Sequence, residues 1–153
     1  MSSLDANSGF PFFSFQRMQL FSQYLVIALG GALGSVLRFW IGSGIDTAVS
    51  KGGQIFPWGT IVVNITGCFI IGLFATLTGA EGRWLVPSLA RPFVMIGILG
   101  GYTTFSSFSL QTLNLWNDNQ RWEAAANILI SVVLCLAGVW LGAALAEWIN
   151  KLR

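Results

Sequence analysis

The sequence predicts an all-α integral membrane protein with four transmembrane helices, the third of them broken in mid-membrane. Three observations predict this. The 153-residue chain is 54% hydrophobic with only 9% charged residues and a mean hydropathy of +0.69, against roughly 25% charged residues in ordinary soluble domains. Four stretches between charges, 18–37, 52–80, 92–117 and 124–146, each reach the ~20 apolar residues that a bilayer crossing takes. The third stretch carries Gly100-Gly101-Tyr102-Thr103-Thr104-Phe105-Ser106-Ser107-Phe108-Ser109, a poor continuous helix, because paired glycines destabilise a helix interior and the hydroxyls that follow bond local backbone. Non-helical backbone at membrane depth persists only where protein buries it or where it lines a polar path. The stretch is therefore either a packing device or an ion site.

Short connections leave one four-helix transmembrane domain, residues 22–147, between an N-terminal extension (1–21) and a tail (148–153), with no room for a soluble catalytic unit. The net charge of +2 is spread over several loops, whereas nucleic-acid binding calls for a clustered basic face. The chain has no histidine, which removes the commonest metal ligand and general base. Cys68 and Cys135 both fall inside apolar segments and read as small buried residues, not as a disulfide framework or a metal pair.

Residues 1–21 pass from polar to aromatic, with Phe10, Pro11, Phe12, Phe13 and Phe15 ahead of Arg17, and read either as an interfacial segment or as a disordered tail. The apolar run that follows is full span length and lacks a small-residue cleavage site, so it is not a signal peptide. The first span, about 22–44, contains Gly30 and Gly34, a GxxxG pair that lets helix backbones approach closely. Arg38, near its far end, either snorkels to the headgroups or stands at a vestibule that draws in anions.

A loop follows at 45–58, with Asp46, Lys51, Gly52, Gly53 and then Phe56-Pro57-Trp58, which suits a helix start at the interface. The second span, 60–77, places Thr60, Asn64 and Cys68 at i, i+4 and i+8, along one helix face. An asparagine in the bilayer costs energy unless it finds a partner. It either joins two helices, at ~1 kcal/mol, or lines a polar path, and one role does not exclude the other. The next loop, 78–91, carries Glu81, Arg83, Trp84 and Arg91, and Pro92 fits the first turn of the third span. Asp118, Arg121 and Trp122 form the last loop. The fourth span, 124–146, repeats the polar stripe with Asn127, Ser131 and Cys135, and adds the small pair Gly138 and Gly142. Glu147, Trp148, Lys151 and Arg153 anchor the end of the chain.

Two greasy spans thus each show one narrow polar stripe, and a third is broken and rich in Ser and Thr. No Asp or Glu stands inside any span. This pattern favours passage of something small that is handled by hydrogen bonds and not by proton relays. The loop cations divide as Arg17, Arg83, Arg91, Lys151 and Arg153 on one side, against Lys51, Arg121 and Arg38 on the other. Under the positive-inside rule this leans towards cytoplasmic termini while leaving insertion in both directions open.

Three motifs resemble those of the Fluc/CrcB fluoride channels. They are Gly30-Gly31-Ala32-Leu33-Gly34-Ser35-Val36-Leu37-Arg38, Gly59-Thr60-Ile61-Val62-Val63-Asn64-Ile65-Thr66-Gly67, and Gly100-Gly101-Tyr102-Thr103-Thr104-Phe105-Ser106-Ser107-Phe108. The resemblance runs in order over about 22–147. It implies a passive fluoride exporter of the cell membrane, working as an antiparallel, dual-topology homodimer with two pores. It also implies a structural sodium ion at the dimer centre, held by the backbone carbonyls of Gly100 and Thr103, and no organic cofactor. The pore residues it implies are Asn64, Thr104, Phe105, Phe108 and Ser131. Asn127 stands where the family often has Tyr.

Two other readings compete. A small four-helix multidrug or cation transporter depends on a membrane-embedded carboxylate, which the spans lack. A non-transporting assembly subunit explains the glycine pairs but not the Gly-Gly-x-Thr-Thr-Phe-Ser stretch. An enzyme finds no nucleophile and base pair here.

Overall fold

In the computed structural model, which describes residues 10–49 and 56–152, the apolar runs become helices. They are α1 (Phe10–Val49), α2 (Trp58–Leu77), a π-helical stretch (Pro92–Ile98) continuing into α3 (Leu99–Tyr102), then α4 (Phe105–Asn117) and α5 (Arg121–Lys151). Four segments are long and apolar enough to cross a membrane: Gln16–Val49, Trp58–Leu77, Pro92–Asn117 and Arg121–Lys151. The expectations placed on residues 1–9, on Lys51, Gly52 and Gly53, on the side chains of residues 10–15, and on Arg153 lie outside the described residues.

Helix α1 is longer than the span read from hydropathy. Its 40 residues begin at Phe10 and carry Asp46 in the last turns, where the sequence suggested a loop. Hydropathy marks the stretch that suits lipid. Polar residues such as Gln16, Arg17, Ser22 and Gln23 do not stop a helix, and no proline interrupts α1 beyond its first turn.

Packing pairs α2 with α5, and α1 with the Pro92–Ile98 stretch and α3; α4 leans on α5. Small residues set these distances. A Cβ on Gly34 would collide with the carbonyl oxygen of Ile98, and one on Gly30 would lie 2.7 Å from that of Phe93. At the other seam, Gly72 faces the Val139 carbonyl and Gly142 the Phe69 carbonyl with no room for a side chain. Lipid supplies no hydrophobic force between helices, so this close backbone contact is what holds them together.

Both ends of α2 are satisfied by charged side chains from its neighbours. No side chain at Pro57 caps its first turn. Instead the Asp46 carboxylate accepts the Gly59 N–H at 2.7 Å, where a helix N-terminus favours negative charge. At the other end Arg91 donates to Thr78 Oγ1 at 2.7 Å and to the Ala75 carbonyl at 3.4 Å, where exposed carbonyls favour a cation. Asp46→Ala is expected to lower stability by about 1 kcal/mol, the usual cost of a lost N-terminal cap. A thermal melt of the purified protein in detergent checks it. Asp46→Asn keeps an acceptor and should recover most of the loss.

Candidate functional site

The third crossing segment leaves helical geometry at two residues. Thr103 (φ −80°, ψ 156°) ends α3 and Thr104 (φ −152°, ψ 114°) precedes α4, both extended. Thr104 caps α4 through its hydroxyl, which accepts the Ser107 N–H at 3.2 Å, as a threonine at this position does well. The paired glycines are not where the backbone turns aside. Gly100 and Gly101 lie within α3, and a Cβ on Gly101 would come within 2.5 Å of the Gly31 carbonyl oxygen. Gly101 thus serves the approach of α1, and the departure from helix falls two residues later.

What holds Thr103 and Thr104 extended comes from another helix. Asn64, buried on α2, accepts the Thr104 N–H at 2.8 Å and donates through Nδ2 to the Thr104 carbonyl at 3.1 Å. One side-chain amide therefore replaces both helical hydrogen bonds of that residue. Buried backbone groups are rarely left unpaired, so the extended conformation depends on this clamp. Gly67, three residues on, has Thr103 Cγ2 and the Tyr102 ring pressed against it, with no space for a Cβ. Tyr102 in turn bonds Thr66 at 2.9 Å between hydroxyls.

The clamp frees carbonyls. A helix would pair the Gly100 oxygen with the Thr104 N–H and the Thr103 oxygen with the Ser107 N–H. The first of those donors goes to Asn64, and the second goes to Thr104 Oγ1. Arg38 reaches the Thr103 oxygen with a guanidinium N–H at 3.4 Å. Its head thus reaches Thr103 and stands outside the wall of the cavity described next.

Below Thr104 lies a cavity of ≈ 330 Å³ whose wall includes Asn64, Thr103, Thr104, Phe105, Phe108 and Ser131. All five residues read as pore-lining therefore meet in one space, although they come from α2, α4, α5 and the extended pair. Gly100 and Arg38 are not in its wall. The rings of Phe105 and Phe108 are 5.2 Å apart between centroids and inclined by 52°. Phe108 is buried at 8% exposure, while Phe105 is 77% exposed.

Ser131 continues into a buried polar line. Its hydroxyl donates to Asn127 Oδ1 at 3.4 Å, Asn127 Nδ2 donates to Thr112 Oγ1 at 2.8 Å, and Thr112 donates to the Phe108 carbonyl at 2.8 Å. Asn127 is only 1% exposed, so an amide bonded at both ends stands at this position. Sequence reasoning did not find Thr112 as its partner. It also did not place Cys68 and Cys135 in the cavity wall, where both stand; their i+4 spacing from Asn64 and Ser131 was the available signal.

A second pocket of similar size, ≈ 340 Å³, lies among Asp46, Gln111, Asn114 and Asp118. Gln111 Oε1 is buried there without a partner. Two carboxylates make this pocket hostile to an anion. The cavity beside Thr104 has none and is lined by hydrogen-bond donors and aromatic rings, so it is the candidate site.

The family profile described as "CrcB-like protein, Camphor Resistance (CrcB)" matches residues 25–143. This chain belongs to the CrcB family. Relatives in that family include proteins named "Fluoride-specific ion channel FluC". The one from Rhodospirillum rubrum is 57% identical over 128 residues, covering 84% of this chain and 97% of the relative. The one from Opitutus terrae is 58% identical over 132 residues, with 86% and 98% covered. That from Methylocella silvestris is 52% identical over 130 residues, with 85% and 97% covered. With four crossing segments and this family, the chain is a multi-pass membrane protein of a transport class, not an enzyme. The CrcB match takes in α2, α3, α4 and the extended pair whole, with most of α1 and α5.

Proposed function

We propose that this chain is a fluoride-selective channel of the cell membrane that lowers cytoplasmic fluoride by passive export. The observation that carries the reading is the cavity beside Thr104, where polar side chains and two aromatic rings gather without a carboxylate. Its relatives, named as fluoride-specific channels, support the choice of ion. A dehydrated fluoride needs donors to replace its water. Asn64 has two amide hydrogens, and the clamp on the Thr104 carbonyl uses one of them. The Ser131 hydroxyl makes only a long bond at 3.4 Å and can rotate towards the cavity. Aromatic edges carry positive charge, so Phe105 and Phe108 offer edges where an anion passes. Thr104 stands in the wall with its N–H given to Asn64 and its hydroxyl to Ser107 Oγ at 3.1 Å, so it serves the pore by its shape and polarity. Donor placement and pore width would then set selectivity.

The reading extends to a homodimer with the two copies antiparallel and a pore in each. Gly100, Phe105 and Ser106, on either side of the extended pair, are exposed in a single chain and Thr103 is only half-buried, and irregular backbone facing lipid inside the hydrocarbon region does not occur. A second copy would cover it, with the extended pair at mid-membrane. The residues also fit a structural sodium ion. The carbonyls of Gly100 and Thr103 have lost their helical donors, and a hard cation takes oxygen ligands. Thr103 has a second lone pair beside the one directed at Arg38. Two carbonyls from each of two chains would hold the ion, which when bound neutralises converging carbonyl dipoles and ties the copies together.

A coupled cation or drug transporter fits less well, since no carboxylate is buried among the described residues to trade protons. Expression in a bacterium lacking its own fluoride exporter tests the function. Growth in fluoride should be restored, and absence of rescue by a well-expressed protein would contradict the reading. Gly100→Val tests the ion and the dimer together. The variant is expected to migrate as a monomer, or to lose the sodium dependence of dimer mass, in size-exclusion chromatography with light scattering. An unchanged, sodium-dependent dimer would refute the carbonyl assignment.

A further inference from the structure

The two cysteines form a pair. Cys68 on α2 and Cys135 on α5 line the same cavity as Asn64 and Ser131, each one helical turn further along its helix. Both are free thiols and only partly buried. They are brought together by the close seam between α2 and α5. Gly138 lets α5 approach until its Cβ position lies 3.7 Å from Cys68 Cβ and 3.1 Å from the Ile65 carbonyl oxygen. One turn on, Gly142 does the same against Phe69. Gly138 stands one turn from Cys135, so the close approach there places the two cysteines on facing helices at the same level of the cavity, and neither takes part in the clamp on Thr104 or in the Ser131–Asn127–Thr112 line.

The geometry points to a binding site for a soft, thiophilic cation in the pore wall, with Cys68 and Cys135 as its two ligands and closure of the pore as its effect. Thiolates select soft d¹⁰ cations such as Cu(I) and Hg(II), for which two sulfur ligands suffice. Hard cations prefer oxygen, so the proposed sodium carbonyls and this site do not compete. On binding Hg²⁺ each thiol gives up its proton and its sulfur bonds the metal. Two protons are released and no electrons change hands. The bound ion stands across the cavity one turn from Asn64 and Ser131 and ties α2 to α5. The block rests on the channel reading above; the site itself does not.

The test uses the full-length protein and mercuric ion. Mass spectrometry of wild-type protein should find one mercury per chain, with both thiols protected from maleimide. Two mercury ions per chain, or one thiol left open to label, would overturn the site. In liposomes, micromolar mercuric ion should stop fluoride efflux and dithiothreitol should restore it. Each variant's flux before addition serves as its own reference. Cys68→Ser and Cys135→Ser should each need roughly 10²-fold more mercury for the same inhibition, as expected when chelation is lost. Inhibition of the double serine variant at the wild-type concentration would overturn the block. If wild-type protein binds one mercury but passes no fluoride before it is added, the channel reading fails and the site stands. If fluoride flux is unaffected by a stoichiometrically bound mercury, the channel reading stands and the block fails.

Discussion

Asn64→Ala is expected to cut fluoride flux by roughly two orders of magnitude. It leaves the Thr104 N–H and carbonyl both unpaired, at ~1–3 kcal/mol for each buried group, and each ~1.4 kcal/mol is a factor of ten in the population of the competent backbone. It also removes an amide donor from the cavity. Asn64→Asp separates the two losses. Its carboxylate still accepts the Thr104 N–H, so the fold should survive, but it loses the donor and sets a negative charge where an anion must pass. Flux from folded Asn64→Asp protein in liposomes should therefore fall as far as that of Asn64→Ala. Normal flux in either variant would show that the clamp and the cavity have no part in conduction.

The second large effect is expected at the rings. Phe105→Ile should cost little stability, because Phe105 is 77% exposed in the single chain. Phe108→Ile should cost ~1–3 kcal/mol, as a buried ring usually does. Both replace a ring edge with a branched alkyl group of no fixed polarity. Flux is expected to fall roughly tenfold in each, equivalent to ~1.4 kcal/mol, since the positive ring edge offered to the anion is lost. Elution of each variant as wild type separates loss of conduction from loss of fold. Folded variants of both with undiminished flux would mean that the rings serve packing alone.

Hydropathy made the four crossing segments legible, because lipid tolerates so few charges that gaps between them mark the spans. The ends of α1 were not legible. Gln16, Arg17 and Asp46 are compatible with a helix whether or not it lies in lipid, so composition set the span and left the helix free to run on. The π-helical turns at Pro92–Ile98 had no local mark beyond the proline. Within the stretch that the sequence marks as irregular, the extended residues lie two positions beyond the glycine pair, for a plain reason. Gly100 and Gly101 look like the weak point of an isolated helix, but Gly101 is small to admit α1. The hydrogen bonds that make Thr103 and Thr104 extended come from Asn64, 40 residues away. A bond between distant residues leaves no local pattern. The i, i+4, i+8 stripes on α2 and α5 were legible as faces, and the α2–α5 seam turns them towards one cavity. Their glycines foretold close packing, although not which helix each would meet.

The central claim concerns the cavity beside Thr104 and the ion it passes. Purified protein reconstituted in liposomes loaded with equal fluoride and chloride, with both effluxes followed by ion-selective electrodes, tests it most directly. Fast fluoride release with far slower chloride release, and with no need for a proton gradient, is the predicted result. Equal release of the two anions, or no release from folded protein, would contradict it.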